Sequence, residues 1–388
     1  MKLLFASDIS FNEYEDFPGQ TAADNIMNDA AKLFEKADFS MINLENIFGE
    51  KEKYTQLIKS GPRMISKKEF ISFLNRLNPT AIGLANNHCL DYNAEALLDT
   101  IDLLKENGYI TVGAGKNLND AYVPVLIDKD GNRIAIMAIC ENEPGVATGN
   151  TAGSAGYNLY RVSKSIFDLK EKGYFPIVYF HGGNEGNPFP SPEKVELYRH
   201  FIDIGAKSVI AMHTHCPQGY EMYNECPIVY SMGNFFFPYN DECKSWYYGY
   251  MTQLNISGGK IDIEIHPYKF DFNSHILLEG AEKAHFMKYI EYISSVIKDE
   301  KILREFFDSW CVLPELHYLR ELLKYSDEML EKGPRSVMAM KNILCCEAHN
   351  EFVRNVFRII YEGKFEAAGK HIKAIKALQN MELPDFYV

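Results

Sequence analysis

Apolar residues along this 388-residue chain fall in two rhythms, and the change between them divides it. Through about residue 235, short apolar runs alternate with amphipathic stretches. Residues 2–6, 38–43, 80–85, 176–180, 208–212 and 227–231 read as buried strands. Residues 22–36, 67–77, 93–107, 162–172 and 192–204 read as helices. In 93–107, Ala96, Leu97, Ile101 and Leu104 keep helical spacing and Gly108 supplies the stop. Asp130-Gly131 predicts a hairpin between 123–127 and 133–140, and Gly258-Gly259 another between 248–256 and 260–270. Alternation of this kind predicts α/β layers, with the hairpins adding antiparallel strands.

After about residue 273 the pattern turns helical. Residues 279–299, 315–331 and 348–378 are rich in Leu, Ile, Lys and Glu, with few Gly or Pro beyond Pro314, Gly333-Pro334, Gly363 and Gly369. The expected division is an α/β domain over 1–273 and a helical region over 274–388. No internal repeat or low-complexity linker interrupts either part.

Composition narrows the classes of function. A net charge of −13 argues against a nucleic-acid surface, which needs a basic stripe. An acidic protein that handles an anionic substrate needs local positive charge, and a bound metal is one source. No apolar run approaches the length of a bilayer span. The start at Met1 resembles a secretory signal, but Asp8 ends the apolar run far short of one. The eight cysteines include no C-x-x-C pair. Only Cys345 and Cys346 are adjacent, within a helical pattern, so free thiols and a cytoplasmic location are expected.

Polar residues gather where the strands end. Apolar runs lead into Asp8, into Asn43-Leu44-Glu45, into Asn86-Asn87-His88, into His181 and into His213-Thr214-His215. Loops beyond the carboxyl ends of strands are where α/β sheets bind ligands. If the strands are parallel neighbours, these side chains converge on one rim. Carboxylate, amide oxygen and imidazole together suit Zn, Mn or Fe better than Ca. Two such ions ~3.5–4 Å apart would clamp a phosphoryl group. Singly, each residue has a plainer reading: Asp8 as a cap, Asn86-Asn87 as the start of the next helix, His88 as a core histidine. Five such coincidences in one order weigh against it.

The motifs carry a specific resemblance. Ala85-Asn86-Asn87-His88-Cys89-Leu90-Asp91-Tyr92, Asn43-Leu44-Glu45, His181-Gly182-Gly183-Asn184-Glu185, His213-Thr214-His215 with Gln218-Gly219-Tyr220-Glu221, and Tyr230-Ser231-Met232-Gly233-Asn234-Phe235 resemble the signatures of the capsule-biosynthesis CapA family. Gly113-Ala114-Gly115 fits the same series, which covers roughly residues 1–240. That family is similar to calcineurin-like metallophosphoesterases, which implies a four-layered αββα sandwich, here with a helical C-terminal appendage. The resemblance implies one or two divalent ions. Asp8 and His215 would hold one, Asn87, His181 and His213 the other, and Glu45 would bridge them. His88 would be the general acid, oriented by Asp91. Arg63, Glu185 and Asn234 stand where substrate contacts are expected.

The chain departs from the family pattern in four places. Ser10 replaces a metal-ligating histidine, Gly182 a Trp, Thr214 a Pro and Ala211 a Gly. Three functions stay open. The first is a metal-dependent phosphoesterase-type hydrolase in capsule or poly-γ-glutamate synthesis, acting on an anionic small molecule or polymer with capsule-synthesis proteins as partners. The second is a non-catalytic assembly factor. The third is a metal-dependent amide hydrolase or transferase. The aromatic runs 235–239 and 246–248 read as sandwich core, with a sugar-stacking wall as the alternative. The 189–192 stretch reads as a connector near the site.

Overall fold

The computed structural model describes residues 1–59, 61–239, 241–314, 317–331 and 333–384. Two twisted sheets carry the fold. The first has eight strands. Lys2–Ile9, Phe39–Leu44, Ala81–Gly83 and Ile110–Val112 run parallel, and the hairpin Tyr248–Ser257/Lys260–Phe270 with His275–Leu277 continues the sheet antiparallel from Lys2–Ile9. Asn234–Phe236 pairs with the far end of Lys2–Ile9, opposite Asp8. The second sheet has six strands, with Asn132–Cys140, Phe175–His181, Ser208–Met212 and Cys226–Val229 parallel at its centre.

Alternation along the strands decides the layers, because successive side chains point to opposite faces. Phe5 and Met41 of the first sheet face Tyr179 and Ile136 of the second across one core. The Tyr179 hydroxyl donates to the Ala6 carbonyl at 2.6 Å and so ties the sheets together. The opposite faces are covered by helices. Ile42 and Ile82 meet Met27 of Gln20–Phe34, Leu74 of Ile71–Leu77 and Leu97 of Ala94–Glu106. Phe180 meets Tyr198 and Phe201 of Pro192–Asp203, with ring centroids 5.4 and 6.5 Å apart. The result is the four-layered αββα sandwich.

Sequence signals explain several boundaries. Asn93, Asn158 and Ser191 cap the helices that follow them through side-chain oxygens. Asp130 and Gly131, at φ 53° and 76°, form the two-residue turn between Val125–Lys129 and Asn132–Cys140. Gly113, at φ 91°, has no room for a side chain: a Cβ there would stand 2.6 Å from the Cβ of Ala85 and 2.8 Å from that of Ala138.

The C-terminal region is helical and more broken than its pattern predicts. The expected 279–299 helix spans Gly280–Ile297, and the expected 315–331 helix spans His317–Leu330, with 315 and 316 outside the described residues. The 348–378 stretch divides into Glu347–Tyr361, Phe365–Ala368 and Ile372–Gln379, with Gly363 at φ 67° ending the first. Glu300–Val312 and Pro334–Cys345 are two further helices. Cys345 ends the latter, and Cys346 is extended before the next helix, so the pair does not share one helix. All eight cysteines carry free thiols, and six are buried. No described helix is long and apolar enough to cross a membrane.

Candidate metal centre

The parallel strands of each sheet end at the same rim, and the two rims face each other. Asp8 closes Lys2–Ile9, Glu45 follows Phe39–Leu44, and Asn87 follows Ala81–Gly83. From the facing sheet, His181 closes Phe175–His181, and His213 and His215 follow Ser208–Met212. The two rims meet directly, since Asp8 Oδ2 accepts from the His213 backbone N–H at 3.0 Å.

Glu45 is the centre of the arrangement. It is fully buried (0% exposed), and neither carboxylate oxygen accepts a hydrogen bond. Its Oε1 lies 3.4 Å from His181 Nε2 and 4.0 Å from both His213 Nδ1 and His215 Nε2. His181 Nε2 also lies 3.0 Å from Asn87 Oδ1, and His181 Nδ1 lies 3.4 Å from Asp8 Oδ1. His213 Nδ1 is buried without a partner. Donor atoms of Glu45, His181 and His213 lie within 4.8 Å of one another, as do those of Asp8, Glu45 and His215, and those of Glu185, His213 and His215. Buried polar atoms normally have partners. An orphaned carboxylate facing imidazole nitrogens is the donor set that a divalent transition ion satisfies, so the residues fit the expected metal.

Electrostatics point the same way. Burial alone would lower His181, but Glu45 and Asp8 override it and raise the imidazole to about 10. Burial likewise opposes the charge of Asp8, and His181 and His215 hold its carboxyl below the ordinary range. His213 is driven well below its ordinary value by burial and by the neighbouring imidazoles of His181 and His215. Without metal, protons thus supply the positive charge that the carboxylates require. His213 and His215 adopt positive φ, 99° and 55°, a conformation rare for non-glycine residues and common at functional sites.

His88 lies beside this cluster. Its Nδ1 is 2.6 Å from Asp91 Oδ2, and its backbone N–H donates to Asn86 Oδ1 at 3.0 Å. Asp91 also accepts from the Met64 N–H at 2.7 Å. Burial would raise the Asp91 carboxyl, but His88 and Lys59 hold it below the ordinary range. Lys59 went unnoticed in the sequence. It is buried, ion-paired with Asp91, and 3.4 Å from His88 Nδ1. Nothing in its local pattern marks it, because the loop that carries it reaches Asp91 only in three dimensions.

Two of the residues expected at substrate also have structural partners. Arg63 donates to the Leu57 and Lys59 carbonyls at 2.9 and 3.3 Å, which holds the Lys59 loop. The Asn234 side-chain oxygen lies 2.7 Å from His215 Nδ1, an arrangement that fixes the ring and turns Nε2 toward Glu45. Glu185 does reach the rim, with Oε1 3.8 Å from His213 Nε2. Ser10 donates to Met64 Sδ at 3.8 Å. At Gly182 any side chain would collide with Glu141, whose Cγ would stand 2.5 Å from the added Cβ. Phe235, Phe236 and Phe237 are core, as expected, but Trp246 packs on His215 with ring centroids 4.7 Å apart.

Glu143 is the second residue the sequence reading missed. Burial first, then the Glu185 and Glu141 carboxylates, push it up to about 7. Its Oε1 lies 3.7 Å from His213 Nε2.

Comparison with known proteins follows this geometry. A family model described as "Bacterial capsule synthesis protein PGA_cap" matches residues 2–239. The PGA biosynthesis protein CapA of Bacillus subtilis is 29% identical over 237 residues, 60% of this chain and 62% of that protein. The capsule biosynthesis protein CapA of Bacillus anthracis is 27% identical over 245 residues, 61% of this chain and 60% of that protein. The matches thus span about three-fifths of those relatives. Among solved structures, TT1561 of Thermus thermophilus superposes with a TM-score of 0.35 at 16% identity, over 68% of this chain and 97% of that one. At that TM-score the likeness decides nothing about the site.

Proposed function

The chain belongs to the bacterial capsule synthesis PGA_cap family, and from that premise we propose that it is a metal-dependent hydrolase of phosphoester type serving capsule or poly-γ-glutamate synthesis. One observation carries the reading: the buried, unpartnered Glu45 carboxylate ringed by His181, His213 and His215. Asp8, Glu45 and His215 would hold one ion, and Asn87, His181 and His213 with Glu45 the other. When bound, such ions supply Lewis-acid polarisation of a phosphoryl oxygen and neutralise its charge. Asn234 orients the His215 ring from behind, and Asp8 also holds the His213 backbone through its second oxygen. His88, steadied through Nδ1 by Asp91, presents Nε2 as the atom that passes a proton to a leaving oxygen. Lys59 shares the Asp91 carboxylate and fixes its position. The buried free thiols support a reducing compartment, hence a cytoplasmic site of action.

A second reading, a non-catalytic assembly factor holding a single structural ion, is favoured by Ser10, whose hydroxyl turns to Met64 where a further ligand is expected. Elemental analysis joined to a phosphatase and phosphodiesterase screen with Mn, Zn, Fe or Mg separates the two. Two retained ions with turnover support the hydrolase. One ion and no turnover across the screen supports the assembly factor.

A further inference from the structure

The C-terminal helices contribute walls to the candidate site. Beside His213 lies a cavity of about 440 Å³. Its floor comes from the sheet rim, where Glu143 and Glu185 converge on His213 Nε2 from two different loops. Its roof comes from the helical region, with Trp310 and Phe352 among the lining side chains. Direct bonds hold roof to floor. Gln379 donates to the Gly186 carbonyl at 3.0 Å, Asn184 to the Ala348 carbonyl at 3.2 Å, and Asn142 to the Glu347 carboxylate at 2.7 Å. No lysine or arginine is among the described lining residues.

We propose that this cavity binds an organic ammonium group, its charge set against Glu143 and Glu185 and its apolar body against Trp310 and Phe352. Within the cavity itself an anionic group would meet the Glu143 and Glu185 carboxylates and no lysine or arginine, and its counter-charge could come only from the adjoining metal cluster. A metal ion alone leaves both the volume and the aromatic walls unexplained. A primary ammonium donates charge-assisted hydrogen bonds to the carboxylates and is attracted to an indole face. The proposal rests on the hydrolase reading only in placing the reacting group of the same ligand at the adjoining metal cluster.

The test titrates the full-length, metal-loaded protein with benzylamine, benzyl alcohol and benzoate by calorimetry. Saturable benzylamine binding is expected, with the alcohol weaker and any benzoate binding, through its carboxylate to the metal ions, indifferent to Trp310→Ala. Glu143→Gln with Glu185→Gln, and separately Trp310→Ala, should each weaken benzylamine roughly tenfold or more. Trp310 touches no candidate ligand atom, so its variant reads the cavity without disturbing the metal. Benzoate binding that Trp310→Ala weakens as much as it weakens benzylamine would overturn the proposal, because it would seat an anion on the same aromatic wall. So would benzylamine binding unchanged in both variants, or no benzylamine binding with an additional metal equivalent lost in Glu143→Gln. Turnover of p-nitrophenyl phosphorylcholine is measured alongside. Its absence, together with no turnover across the phosphatase and phosphodiesterase screen, removes the hydrolase reading and, with benzylamine binding intact, leaves the cavity assignment standing. Turnover without benzylamine binding does the reverse.

Discussion

Replacing Glu45 by Gln tests the metal centre at its most exposed assumption. Gln keeps the size of the side chain and removes the one negative charge that two ligand groups share, Glu45–His181–His213 and Asp8–Glu45–His215. The magnitude follows from linkage. An ion present at 100 times its dissociation constant stabilises the folded chain by ~2.7 kcal/mol. An unfolding entropy of ~2.1 cal/mol/K per residue, over 388 residues, comes to roughly 0.8 kcal/mol/K. One saturated ion should then raise the melting temperature by about 3 °C and two independent ions by about 7 °C. The assay is thermal unfolding of chelator-treated protein with and without Mn or Zn. Glu45→Gln should shift by less than about 1 °C, because both groups lose their shared anion, and Asp8→Asn should keep about 3 °C. A full wild-type shift in Glu45→Gln would refute the reasoning, as would a wild-type protein that no divalent ion stabilises.

Three more outcomes are expected. His88→Ala and Asp91→Asn should slow phosphoester turnover by ~10²–10⁴-fold with metal content unchanged, and loss of metal in either variant would reassign that residue as a ligand. Because His181 is held at about 10 in the metal-free protein, it is protonated at pH 7.5 and must release that proton to bind an ion. Affinity should therefore rise with pH up to that value, and calorimetry in buffers of different ionisation enthalpy should count at least about one proton released per protein. Finally, we propose that residue 273 marks a change of architecture and not a folding boundary. Phe286, Tyr289, Ile290, Ile293 and Ile297 of Gly280–Ile297 are buried in the core shared by both sheets. At ~1.5–3 kcal/mol each their loss approaches the whole stability of a domain. A chain ending at 273 should be insoluble or unfolded by circular dichroism, and a soluble, cooperatively melting product would contradict the proposal.

Much of this protein is written locally. The strand runs, the capping residues Asn93, Asn158 and Ser191 and the Asp130-Gly131 turn are set by short-range patterns, and the structure keeps them within a few residues. The positions of Asp8, Glu45, Asn87, His181, His213 and His215 at strand ends are equally local, since an apolar run followed by a polar residue is visible in one dimension. Only the tertiary structure decided that these six come from two separate sheets whose rims oppose each other. The strand pattern is the same whether strands share one sheet or two, because hydrophobic alternation records which face is buried and not what buries it. The same limit hid Lys59, Glu143 and the structural partners of Arg63 and Asn234. Their roles are contacts across 19 to 70 positions of sequence, Asn234 with His215, Lys59 with the Asn87 carbonyl and Glu143 with His213, or, for Arg63, hydrogen bonds inside a loop whose path no periodicity records. The helical region shows the boundary most clearly. Its amphipathic pattern announces helices with an apolar face to bury, and only packing assigns that face to the sandwich core and to the roof over His213.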